Sequence, residues 1–116
     1  MKGPRSEKIR LLHMRDAADR ILLEYGKLNG EQLADDDLRY FGLLRLMEII
    51  GEAAYKLTRE LRAAHPEVPW RQIIATRHIV VHEYDDVDER RIWDVIVNHL
   101  PALRQQLQTI IDTLPE

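Results

Sequence analysis

Apolar residues recur at three- and four-residue steps along most of the chain, and that spacing predicts helices. Ile9, Leu12, Ala17, Ile21, Leu22, Tyr25 and Leu28 outline a first helix over about 6–28. Ser6 and Glu7 suit its start, where a side-chain oxygen and negative charge meet unpaired N–H groups. Gly26 and the pair Asn29-Gly30 suit its end. After a polar connection, a second helix is expected over about 37–64. Its stripe runs through Leu38, Phe41, Leu44 or Arg45, Glu48, Ile49, Ala53, Leu57 and Leu61. Leu46, Met47 and Ile50 widen it, so more than one neighbour should bury this helix. Gly42 and Gly51 inside it each cost about 1 kcal/mol against alanine, which points to close helix crossings. Asp35, Asp36 and Asp37 read as a cap and acidic first turn rather than a cation site, because adjacent helical side chains diverge.

Pro66 and Pro69 interrupt the pattern, and Pro69 fits a first helical position. Trp70 reads as a packing anchor rather than a platform for stacked bases. A third helix carries Trp70, Ile73, Ile74, Arg77, Val80, Val81 and Tyr84 and ends near Asp85-Asp86. A fourth opens at Asp88-Glu89 and buries Ile92, Val95, Ile96, His99 or Leu100, Leu103, Leu107, Ile110 and Leu114. Pro101 should kink or split it. The chain shows no strand pattern, internal repeat or low-complexity linker. The expectation is an all-α fold: one domain over 1–116, an up-and-down bundle of four to five helices.

Composition narrows the chemistry. The chain has 116 residues, 45% hydrophobic and 32% charged, with no cysteine. Disulfides and thiolate metal sites are excluded, and a reducing cytoplasm is the expected setting. No run of apolar residues is long enough for a membrane span, and the N-terminal residues lack the apolar core of a signal peptide. The net charge of −3 argues against a protein built to grip long duplex DNA. Any nucleic-acid contact must be local or shared with a second copy of the chain.

The segment Arg77-His78-Ile79-Val80-Val81-His82-Glu83-Tyr84 concentrates reactive side chains in an apolar setting. On an ideal helix Arg77 and Tyr84 lie within about 20° of each other, and His78 and His82 within about 40°. Arg77 and His82 differ by about 140°. Either the helix is distorted near Arg77, or arginine and histidine from two copies meet across a two-fold axis. Histidine moves protons near neutral pH, and arginine matches phosphate oxygens with a permanent charge. Together they suffice for metal-free RNA cleavage, in which the histidine activates a ribose 2′-hydroxyl and the arginine stabilises charge on phosphorus. Glu48 and Glu52 could face this segment, but solvated helix charge is the preferred reading. His78 and His82 also have the spacing of two zinc ligands, yet no third ligand is identifiable, and no metal or other cofactor is expected. His13, His65 and His99 carry no signal of their own.

Arg-x4-His-x-Tyr, here Arg77, His82 and Tyr84, resembles the signature of the HepT-like toxins, small all-helical nucleases of the HEPN type (higher eukaryote and prokaryote nucleotide-binding). The resemblance covers most of the chain. It includes Arg-Asp-Ala in the first helix, Ile-Gly-Glu-Ala at 50–53, Pro-x-x-Pro-Trp at 66–70, and Val-Asp with a later Trp93 and Leu-Pro. It implies a HEPN-like homodimer that cleaves RNA with Arg77 and His82 at the subunit interface. His78 stands where the family commonly has a polar residue, and is a possible auxiliary group. The resemblance further implies the toxin of a type VII toxin–antitoxin system. A minimal nucleotidyltransferase antitoxin would transfer AMP from ATP onto Tyr84, adding bulk and negative charge beside Arg77. The alternative is a non-catalytic helical dimer that binds such a nucleotidyltransferase or a nucleotide.

Overall fold

A computed structural model describes residues 3–26, 37–82 and 89–115. Helix α1 spans Pro4–Tyr25. It begins before the expected Ser6: Gly3 is the N-cap and makes no side-chain capping bond. Proline opens a helix readily, since its missing N–H would be unpaired there in any case. At the other end the Gly26 N–H donates to the Leu22 carbonyl at 3.1 Å, and residues 27–28 lie outside the described residues. Glu7, Leu11, Met14, Ala18, Ile21 and Tyr25 form the buried face, alternating steps of four and three. Ile9, expected in the stripe, is instead exposed.

Helix α2 spans Asp37–Lys56. Asp35 and Asp36 lie outside the described residues, so their capping role does too. Leu43, Leu44, Met47, Ile50 and Ala54 face inward. Leu38 and Phe41 were expected in this stripe but are 86% and 51% exposed. Leu38 sits about 180° around the helix from Met47, so burying one exposes the other. Gly42 lies under Tyr25: a Cβ there would be 3.2 Å from the phenolic oxygen. That oxygen donates to the Arg39 carbonyl at 2.7 Å.

The expected helix over 37–64 is broken at Leu57-Thr58, and α3 spans Arg59–Ala64. Thr58 is extended and caps α3, its Oγ1 accepting from the Leu61 N–H at 3.2 Å. Glu7 on α1 fixes the break. Its carboxylate accepts from the Thr58 N–H at 3.1 Å and the Thr58 hydroxyl at 2.8 Å. Glu7 lies in the first turn of α1, as expected, and is only 6% exposed, so this acid also clamps α1 to the start of α3. Hydrogen bonds to a charged group contribute about 1.5–3 kcal/mol each, enough to offset much of its desolvation.

Helix α4 spans Trp70–His82 and α5 spans Glu89–Asp94. A π-helical turn, Val95–His99, then leads into α6, Leu100–Thr113. The effect of Pro101 is this wide turn, not a break. Its ring crowds the carbonyl four residues back, and the Leu100 N–H bonds five residues back, to Val95. Leu100, not His99, takes the core position.

Packing runs in the order α6, α1, α2, α4, with each helix against the next. The buried apolar residues form one cluster. Polar bonds close the seam between α1 and α6. Arg104 meets Asp19 at 2.7 Å, Arg15 donates to Gln108 at 3.1 Å, and the Lys8 ammonium donates to the Leu114 carbonyl at 3.4 Å. The Asp19 hydrogen bond and charge raise the Arg104 pKa above its ordinary value. Among the described residues no strand occurs, and no helix is long and apolar enough to cross a membrane.

Candidate active site

The turn before α4 sets the position of that helix. Val68 is buried and its N–H donates to the His65 carbonyl at 3.2 Å. Trp70 is 7% exposed, and its indole N–H donates to the same carbonyl at 2.9 Å. Trp70 is therefore a packing anchor, with its ring committed to the core. Pro69 takes the cap position rather than the first helical one, its carbonyl accepting from the Ile73 N–H at 3.1 Å.

Helix α4 crosses α2 at Gly51. A Cβ on Gly51 would collide with the Cβ of Arg77 and stand 3.0 Å from the Ile73 carbonyl oxygen. Only a residue without a side chain lets the two backbones approach this closely. The crossing expected at Gly51 is thus formed, and it is the arginine of the motif that presses against it. Arg77 is half-buried, and its Nε–H is buried with no acceptor among the described residues. Buried donors are nearly always bonded, so this unanswered guanidinium N–H stands out.

His78 and His82 occupy the opposite, exposed face of α4. Their rings lie 4.7 Å apart between centroids, inclined at 46°. The four-residue spacing thus brings the imidazoles side by side. Arg77 is not brought to them. No hydrogen bond joins it to either ring among the described residues, and Trp70–His82 is a regular α-helix without the distortion that could close the angle. Tyr84 lies outside the described residues.

Glu48 and Glu52 are engaged locally along α2. Glu48 accepts from Arg45 at 2.7 Å, and Lys56 reaches Glu52 at 3.4 Å. The Glu48 hydrogen bond raises the Arg45 pKa. These are the helix-surface pairs of the preferred reading, not partners of the motif. Among the described residues no third side chain of a metal-ligating type joins His78 and His82.

One cluster was missed from the sequence. Arg59, Arg62 and Arg71 meet around an open depression of about 460 Å³ at the N-terminal end of α4. Each reads alone as ordinary helix surface, and only the turn at 65–69 brings α3 and α4 together there. Arginines flanking a Pro-x-x-Pro turn were the available signal.

The bundle, with an arginine and paired histidines on its outer helix, defines an all-α, HEPN-like protein. The family described as "Ribonuclease HepT-like" matches residues 13–110. "Putative RNase TTE0752" of Caldanaerobacter subterraneus subsp. tengcongensis is 32% identical over 111 residues, covering 96% of each chain. "Probable ribonuclease HepT" of Thermococcus cleftensis is 31% identical over 80 residues, covering 69% of this chain and 73% of that one. No solved structure matches. This chain belongs to the HepT-like ribonuclease family.

Proposed function

We propose that the protein is the toxin of a type VII toxin–antitoxin system, a metal-independent endoribonuclease that works as a homodimer. The observation that carries this reading is the division of α4. Arg77 has a buried, unanswered Nε–H on one face, and His78 and His82 stand exposed on the other. A regular helix keeps Arg77 and His82 about 140° apart, so a site using both draws one from each of two copies.

His82 takes the proton of a ribose 2′-hydroxyl. The 2′-oxygen attacks the adjacent phosphorus, and the bond to the 5′-oxygen of the next nucleotide breaks. Arg77 stabilises the charge that builds on the phosphoryl oxygens. The departing 5′-oxygen takes a proton from His78 or from water. The products are a 2′,3′-cyclic phosphate and a 5′-hydroxyl. DNA lacks the attacking hydroxyl and is spared.

A minimal nucleotidyltransferase antitoxin silences the enzyme. The phenolic oxygen of Tyr84 attacks the α-phosphorus of ATP, pyrophosphate leaves, and the phenolic proton passes to a base. The AMP left on Tyr84 places a phosphodiester charge two residues beyond His82 and repels the substrate phosphate.

Purified protein and its His82→Ala variant are incubated with RNA in EDTA. Cleavage by the first and not the second is expected, and equal cleavage by both removes His82 from the mechanism. A folded chain that cleaves nothing but still captures the nucleotidyltransferase would be the non-catalytic binding module instead. Tyr84→Phe should abolish ATP-dependent labelling by the partner. Labelling that persists at one other site refutes the modification claim.

A further inference from the structure

We infer that the depression lined by Arg59, Arg62, Ala63, Trp70, Arg71 and Ile74 is a second phosphate-binding subsite that holds the backbone of single-stranded RNA running along α4. The inference rests on the ribonuclease reading above and extends it to residues outside the Arg-x4-His-x-Tyr motif.

The guanidiniums here are unanswered. Arg15, Arg45 and Arg104 each have an acidic partner within 2.8 Å. Arg59, Arg62 and Arg71 have none within ion-pair distance among the described residues. Glu60, beside Arg59 in sequence, makes no ion pair with any of them. Arg62 is half-buried, and its Nε–H is buried without an acceptor, like that of Arg77. In a protein of net charge −3, such a concentration of free positive charge suits an anionic ligand.

Register connects the depression to the imidazoles. Arg71, His78 and His82 fall within about 40° of one another on α4, and all are exposed. Arg71 and His82 stand about 16 Å apart along the helix axis, within reach of a short run of nucleotides. A chain whose scissile linkage lies at His82 therefore lays a neighbouring phosphate on Arg71 and the α3 arginines.

The apolar floor refines the ligand. Trp70 is only 7% exposed and its N–H is bonded to the His65 carbonyl, so little of the ring is open to a stacking base. The subsite grips phosphate and sugar without reading bases. It adds affinity for long RNA and does not select a sequence.

The test uses full-length His82→Ala protein, so that RNA stays intact, and a mixed-sequence single-stranded oligoribonucleotide. Affinity is measured across a salt series with and without Arg59→Gln, Arg62→Gln and Arg71→Gln together. Each phosphate contact contributes about 0.7 to the slope of log affinity against log salt, so the slope should flatten by about two. Affinity at low salt should fall by about tenfold to a hundredfold. Arg62 is partly packed, so the exposed pair Arg59→Gln/Arg71→Gln is measured beside it and should give most of the effect. Arg104→Gln, which removes one positive charge elsewhere, should leave affinity and slope unchanged. Unchanged binding in the triple variant, or equal loss with Arg104→Gln, overturns the subsite. If the unmutated chain still cleaves RNA in that case, the ribonuclease reading survives without it. If the unmutated chain neither binds nor cleaves RNA, both fall. Loss of nucleotidyltransferase capture with RNA binding intact would assign the depression to a protein partner and overturn the proposal.

Discussion

The α1–α6 seam and the α3–α4 face use arginine in opposite ways. On the seam, Arg104 is held by Asp19 and Arg15 by Asp16 and Gln108. Elsewhere, Arg62 on α3 and Arg77 at the α2–α4 crossing each keep a buried Nε–H with no acceptor among the described residues. The seam spends its charge on joining helices. Around α4 charge is left unspent, and of the arginines there Arg71 shares the face of the two exposed imidazoles. In a bundle this small, that contrast is a better guide to the working surface than net charge, which is acidic.

Substitutions on the two sides should separate cleanly. The largest effect is expected from His82→Ala: RNA cleavage should fall by about 10²–10⁴-fold. Its thermal midpoint should not move, because the ring is exposed. Glu7→Ala should do the reverse. It strands the Thr58 N–H and hydroxyl, and denaturant titration should show a loss of about 2–3 kcal/mol. Gly51→Ala crosses the divide. It forces α2 and α4 apart at Arg77, lowering stability by about 1–3 kcal/mol. It should lower RNA cleavage as well, measured on protein that remains folded. Arg104→Gln should change least, with a small shift in melting and no change in RNA affinity, because exposed ion pairs contribute little.

Local rules carried much of the fold. The three- and four-residue spacing gave the helices, and Pro66 and Pro69 gave the turn before α4. Gly51 announced a close crossing because an interior glycine is otherwise unfavourable. Non-local contacts carried the rest. Thr58 breaks the long helix because Glu7, 51 residues away in the chain, holds its N–H and hydroxyl. Leu38 and Phe41 fit the period but not the rotation of α2, which its packing against α1 and α4 decides. Pro101 signalled a disturbance but not its form, a wide turn in place of a break.

The candidate site divides the same way. Helical geometry alone paired His78 with His82 and separated Arg77 from them, and both relations appear in α4. That Arg77 would lie against Gly51 with a buried, unanswered N–H depends on a second helix. So does the grouping of Arg59 and Arg62 with Arg71. The reactive residue types were visible in the sequence, while their surroundings had to come from the fold.

The shared-site claim is tested most directly by mixing two inactive variants. Arg77→Ala and His82→Ala proteins, differently tagged, are co-expressed and the mixed dimer is assayed for RNA cleavage in EDTA. If each site takes arginine from one copy and histidine from the other, the mixed dimer has one intact site. A random mixture then regains about a quarter of the unmutated activity. No recovery in a verified mixed dimer would contradict the account, because it would mean that Arg77 and His82 of the same chain act together.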